Sequence, residues 1–161
     1  MNIFLTSSDP VECAIALDTK RVVKMTLETA QLLSTACHLK WVDIGYRMTH
    51  ANHPCGLWCQ RSSGNFSWLV DHGLALADEY TYRTGKTHQS RQVIEKAREH
   101  IHLFNDKPVE FNFNSSGFST GDVFHDYRLC LVHKWKRLDV IAPAWGNRER
   151  PSFLSELWNE V

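Results

Sequence analysis

Two stretches of the chain arrange apolar and polar residues so as to predict helices turned mostly inward. Residues 20–36 contain no Gly or Pro, and at about 100° per residue Lys20, Lys24, Glu28, Gln31 and Thr35 fall within about 40° of one line. Val22, Val23, Met25, Leu27, Ala30, Leu32, Leu33 and Ala36 fill most of the remaining circumference, interrupted by Arg21 and small hydroxyls. An ordinary surface helix has the opposite proportions. The pattern therefore predicts a largely buried helix whose polar stripe lines a site, or else a seam held by a Lys24–Glu28 pair. Residues 65–84 repeat the arrangement. Trp68, His72, Glu79 and Arg83, with Asn65 close by, share a face about 60° wide, opposite Phe66, Leu69, Val70, Gly73, Leu74, Ala77 and Tyr80. Gly85 is placed to end this helix in the left-handed conformation.

The rest of the chain reads as shorter helices and one long irregular stretch. Asp9-Pro10 followed by Glu12 starts a short helix reaching about residue 17. Residues 49–54 read as a loop, 55–60 as one or two turns, and 62–64 as a break. Residues 90–101 and 122–138 are predicted helical, with a last short helix over 151–158. Residues 104–121 (rich in Asn, Ser and Gly) are expected to be irregular, and a loop this long inside a domain is more often functional or mobile than filler. No repeat or low-complexity block occurs. The expected fold is all-α: one helical domain over 1–161 with five to seven helices.

Composition narrows the function classes. The 161 residues, 43% hydrophobic and 22% charged, suffice for one core. No stretch approaches the roughly 20 apolar residues of a membrane span, and the opening lacks the order of a secretory signal, so a soluble cytoplasmic protein with no membrane partner is expected. Eighteen Lys and Arg balance eighteen Asp and Glu. A nucleic acid must then be met by a local basic surface and not by the field of the whole molecule. The five cysteines are scattered and read as reduced thiols. His50-x2-His53-x-Cys55-x3-Cys59 fits none of the usual zinc spacings, so no metal is expected.

Candidate chemistry follows from the two stripes. Converging across a cleft closed by His50, Asn52 and His53, they would set carboxylates beside cations in a partly dry site, where pKa values shift enough for acid or base work. Glu28, Lys24, His53 and Glu79 are the catalytic candidates. Glu79–Arg83 reads equally as an ordinary ion pair, and His53 equally as the cap of the following helix. In the carboxy-terminal third Arg128, His133, Lys134, Trp135, Lys136, Arg137, Trp145, Arg148 and Arg150 interleave base with indole. That pattern suits phosphate contacts beside base stacking, or basic stems covering a core.

Particular residues then resemble something known. The opening MNIF, Asp18-x-Lys20-x-Val22-Val23-Lys24-Met25 and Glu28-Thr29-Ala30-Gln31-Leu32-Leu33-Ser34-Thr35 are similar to a family of small phage-encoded proteins. Thr49-His50-x-Asn52-His53-Pro54, Trp58, Asn65, Trp68-Leu69 and Glu79-Tyr80-x-Tyr82-Arg83-x-Gly85-Lys86-x-His88 continue the likeness over about residues 1–90. Such proteins resemble, more remotely, the phage pyrimidine-dimer DNA glycosylases, which are small all-α enzymes. The resemblance implies DNA as partner and an extruded pyrimidine as substrate. The candidate substrate and DNA contacts are Lys20, Gln31, His50, Asn52, Trp58, Asn65, Trp68, His72, Arg83, Lys86 and His88. In the glycosylases the amino-terminal amine, exposed by loss of the initiator Met, attacks the sugar C1′ and a glutamate assists; Glu28 would be that glutamate. Residue 2 is Asn2, whose side chain is large for removal of Met1. The same residues therefore also accommodate amine substitution at an activated hydroxymethyluracil, as in an amino acid:DNA transferase of thymidine hypermodification with a small amine or amino acid as co-substrate. A non-catalytic DNA-binding protein is the third reading. None of the three calls for a cofactor.

Overall fold

Residues 2–161, which a computed structural model describes, form seven α-helices and no strand. They are α1 (Pro10–Ala16), α2 (Thr19–His38), α3 (Pro54–Gln60), α4 (Ser63–Thr84), α5 (Arg91–Arg98), α6 (Val123–His133) and α7 (Phe153–Glu156). The all-α expectation and the helix count hold. The Asp9 carboxylate accepts from the Val11 and Glu12 backbone N–H groups at the start of α1, and Pro10 needs no acceptor there.

Several boundaries moved for local reasons. The expected break at 62–64 is a helix start: Ser62 caps α4 by accepting from the Asn65 N–H. A Cβ on Gly64 would come within 2.3 Å of the Val109 nitrogen, so a glycine lets residues 107–109 cross the first turn of α4. The helix expected over 90–101 closes at Arg98 and is followed by a 3₁₀ turn, Ile101–Leu103. α6 does not continue as α-helix to residue 138; it widens into a π-helical turn, Lys134–Leu138, closed by the Asp139 N–H on the Lys134 carbonyl (2.9 Å).

Helices α2 and α4 form the spine. They pack at Gly73, where a Cβ would meet the Thr29 methyl at 2.8 Å and Ile94 of α5 at 3.0 Å. Close approach of this kind buries Thr29, Leu33, Phe66, Leu69, Val70 and Leu76 between the elements. α4 therefore turns its apolar face to α2 and α5. On α2 the pattern overstated burial in one place: Val23 and Leu27 are exposed, whereas Arg21 is buried.

The irregular stretch is no open loop. The Trp58 indole N–H donates to the Glu110 carbonyl (2.6 Å), the Glu110 N–H donates to Asn65 Oδ1 (2.9 Å), and Phe113 stacks on Trp58. Farther on, Asp126 accepts from the Thr120 backbone and hydroxyl and from Asn114. Residues 105–121 are thus tied over α3, α4 and α6 by side chains instead of a ladder.

Candidate functional site

The polar stripe of α2 is the floor of the site. At its carboxy-terminal end the buried Thr35 hydroxyl donates to the Thr49 carbonyl (2.9 Å) and accepts from the Thr49 N–H (3.0 Å). These two bonds fasten the His-rich loop to the helix. His53 then caps α3, its Nδ1 accepting from the Cys55 N–H (3.2 Å). A neutral ring that accepts at Nδ1 carries its proton on Nε2 and can only donate there. Burial lowers the His53 pKa, the positive amino terminus and His50 lower it further, and the Glu28 carboxylate opposes them. The ring is accordingly a neutral donor near a carboxylate. His50 is exposed at φ 51°, with Nδ1 2.6 Å from the Thr49 hydroxyl. Asn52 is exposed at the tip of the loop, and Gln31 is half-buried on the α2 stripe.

The amino-terminal segment supplies the other wall. The Asn2 backbone nitrogen donates to Glu28 Oε2 (3.3 Å), while Asn2 Oδ1 accepts from the Ile3 and Phe4 N–H groups (2.7 and 3.1 Å). That clamp accompanies the left-handed backbone of Phe4, φ 56°, which a side chain without local support seldom adopts. Ile3, Phe4 and Leu5 are buried and root the segment in the core. The Glu28 side chain is only 12% exposed, and Lys24 Nζ lies 3.5 Å from its Oε1.

Beside Lys24 opens a pocket of about 230 Å³ lined by Phe4, Lys20, Arg21, Lys24, Met25, Lys134, Leu138 and Asp139. Arg21 is consumed by Asp18 (2.8 Å) and Asp139 (2.8 and 3.2 Å). The three lysines keep the pocket positive. Larger cavities, of about 580 and 560 Å³, lie elsewhere. There the arginines are taken up by ion pairs: Arg98–Asp71, Arg91–Asp78 and Arg148–Glu79.

The stripe of α4 does not face Glu28, which corrects the expected cleft between two polar faces. Trp68 Nε1 donates to the Ser8 carbonyl (2.7 Å), His72 Nδ1 to the Pro10 carbonyl (3.0 Å), and the Arg83 guanidinium to the carbonyls of Leu17 (2.7 Å) and Ile15 (3.1 Å). Glu79 is buried between Arg83 (3.0 Å) and Arg148 (2.5 Å). These groups satisfy the backbone of residues 8–17, including the carbonyls that α1 leaves open at its end. Glu79 and Arg83 are structural, as are the buried Trp68 and His72; Trp58 and Asn65 serve the irregular stretch. His88 also misses the site, with Nε2 on the Val23 carbonyl (3.2 Å) and Nδ1 accepting from Ser90. Lys86 is exposed beyond the end of α4 and is not among the pocket's lining residues.

Trp135 and Trp145 of the carboxy-terminal third are buried as well, so these two offer no stacking platform. Trp135 donates to Asp18 (2.8 Å), Trp145 to the Ala16 carbonyl (3.0 Å), Arg128 to the Thr6 carbonyl, and Lys136 to the carbonyls of Trp158 and Val161. Lys134 alone of that cluster lines the pocket. The five cysteines are buried and unpaired, burial pushing the Cys55 thiol up to about 12. Among the described residues no group of three or more His, Cys, Asp or Glu is placed to hold a metal ion, and no helix is long and apolar enough to cross a membrane.

Pattern reasoning missed Asn2, Phe4 and the Arg21–Asp139 pair. A single arginine on the otherwise apolar circumference of α2 was the available signal for the last, because such a charge is buried only with a partner.

An all-helical scaffold that holds a carboxylate against the amino-terminal backbone, next to a lysine-lined pocket, has the parts of a DNA base-processing enzyme. Residues 1–93 match the family model for pyrimidine dimer DNA glycosylase. That match covers more than half of the chain, and the protein belongs to the pyrimidine dimer DNA glycosylase family, with a glycosylase-like, DNA-acting function. No curated protein and no solved structure matches it significantly.

Proposed function

We propose that the protein excises an extruded pyrimidine from DNA, with the amine of residue 2 as nucleophile and Glu28 as the assisting carboxylate. The observation that carries this reading is the Asn2 nitrogen 3.3 Å from Glu28 Oε2. The step requires that Met1 be removed despite the bulk of Asn2, which the intact mass of the purified protein checks; the freed nitrogen is then an α-amine, whose reference pKa of about 7.7–8.0 leaves a large neutral fraction near pH 7.5. The amine attacks the sugar C1′, the bond from C1′ to the base breaks, and the base leaves with the bonding electrons. Glu28 takes the proton the amine sheds, and ring opening leaves an imine. His53 Nε2–H donates to the departing base or the sugar, while Lys20, Lys24 and Lys134 hold the flanking phosphates. Residues 134–139 form part of the pocket wall, so the whole chain, 1–161, works here as one domain.

Mass spectrometry of nucleosides tests the reading on ordinary, ultraviolet-irradiated and hydroxymethyluracil-containing DNA, together with borohydride reduction to trap the imine. On irradiated DNA the expected results are one base of a dimer cut from its sugar yet still tethered to its neighbour, appearing as free base after photoreversal, and a one-to-one covalent adduct through residue 2. A gain in mass on hydroxymethyluracil, without base release, would make the protein an amine transferase instead. Unchanged nucleosides on all three substrates would leave a non-catalytic DNA-binding protein.

A further inference from the structure

The chain between the π-helical turn and Trp145 has an unusual combination of a bolted base and an apolar tip. Val140 is fully exposed, Ile141 is 73% exposed and Leu138 is 59% exposed. Three apolar side chains exposed within four residues are costly unless something covers them. The ends are fixed from both sides. Asp139 is held by Arg21, which also binds Asp18, and Asp18 in turn accepts from the Trp135 indole. On the other side the Ala144 carbonyl accepts from the Thr19 N–H (2.8 Å), and the Trp145 indole donates to the Ala16 carbonyl.

Cations surround this tip. Against the desolvation that raises it, the Asp139 carboxyl is held below the usual range by the Arg21 guanidinium that bonds it directly and, less strongly, by the charges of Lys20 and Lys134. Arg137 precedes the tip and is exposed. Among the described residues Lys20, Lys134 and Arg137 make no ion pair with an acid. Leu138 and Asp139 line the same pocket as Lys24, whose ammonium reaches Glu28. Leu138 therefore joins the tip to the pocket beside the catalytic candidate, with cations at the tip's base.

We propose that Leu138, Val140 and Ile141 form a wedge that enters the base stack of duplex DNA, with Lys20, Lys134 and Arg137 seated on the adjacent phosphates. A rigid apolar tip between phosphate-binding cations unstacks a base step and fills the gap left by an extruded nucleotide. A protein partner would give no reason for the lysines. This inference rests on the reading that DNA is processed at Glu28, and it extends to residues beyond the family match.

A duplex carrying 2-aminopurine next to the target pyrimidine tests the wedge, because emission rises when the stack opens, whether or not chemistry follows. Wild-type protein is expected to raise the emission several-fold. Val140→Ser/Ile141→Ser should lose most of that rise and about tenfold or more of duplex affinity, because the apolar contacts between the tip and the opened stack are lost. Val140→Leu/Ile141→Leu should keep both. An unchanged emission rise in the serine variant overturns the wedge. So does a change confined to sedimentation, which would make the tip a contact between copies of the chain. Glu28→Gln separates the two readings: it should open the stack like wild type while base release falls by about 10² to 10⁴, so the wedge and the excision chemistry fail independently.

Discussion

The Asn2 backbone nitrogen meets the Glu28 carboxylate across 3.3 Å, joining the start of the chain to the middle of α2. Nothing in local sequence pairs two residues 26 positions apart. The contact arises because Ile3 to Leu5 are buried and the Asn2 side chain bends the backbone at Phe4. Glu28→Gln keeps the shape of the side chain and removes the charge and the basic oxygen. Single-turnover base release should fall by about 10² to 10⁴, the usual worth of a positioned acid or base. DNA affinity, read by anisotropy, should stay within about twofold, since no phosphate cation is lost.

Glu79 has the opposite character. It is buried between two arginines, and one of them, Arg83, has a side chain with no exposure. Glu79→Ala strands these guanidiniums and should destabilise the fold by about 3 kcal/mol in urea unfolding. The folded fraction should retain its rate of base release.

His72 predicts a pH dependence of stability. It has no solvent exposure, stacks on Trp68 and donates to the Pro10 carbonyl, and burial lowers its pKa from 6.5 to about 4. Unfolded chains take up a proton on this ring below pH 6.5, while the folded protein does not until about pH 4. Stability contributed by the neutral ring is therefore full above pH 6.5, declines as the pH falls, and has gone by about pH 4. The loss approaches roughly 3 kcal/mol. Chemical denaturation at a series of pH values should show this slope in the wild type, and His72→Gln should flatten it.

Thr35 holds the His-rich loop with one hydroxyl. Thr35→Val preserves volume but leaves the Thr49 N–H and carbonyl unpaired, at a cost of about 1–3 kcal/mol. Hydrogen exchange should accelerate over 49–55, where the His53 cap begins α3, more than elsewhere in the chain.

Salt dependence identifies the phosphate cations. Lys20→Ala/Lys134→Ala should lower the log–log slope of duplex affinity against salt by about 2, near 0.9 per lost contact. Lys136→Ala should leave it unchanged, because its ammonium is bound to the carbonyls of Trp158 and Val161. Equal effects of the two variants would move the interface away from the pocket.

The sequence alone determined the helices and their punctuation. Asp9-Pro10 and Gly85 act through bonds or dihedrals confined to a few residues, so their consequences were legible without the fold, whereas the Ser62 cap read as a break. Periodicity also identified the polar stripes of α2 and α4, the first running from exposed Lys20 and Lys24 to buried Thr35. Which group each stripe would meet was decided only by tertiary packing. The close contact of Gly73 with Thr29 turns the apolar face of α4 to α2, and its polar line is left to satisfy the backbone of α1. A polar line looks the same in sequence whether it holds a substrate or a neighbouring carbonyl. The Arg21–Asp139 pair spans 118 positions, and the exposed tip it anchors has no local signature, because exposure depends on what packs nearby and not on the residues themselves.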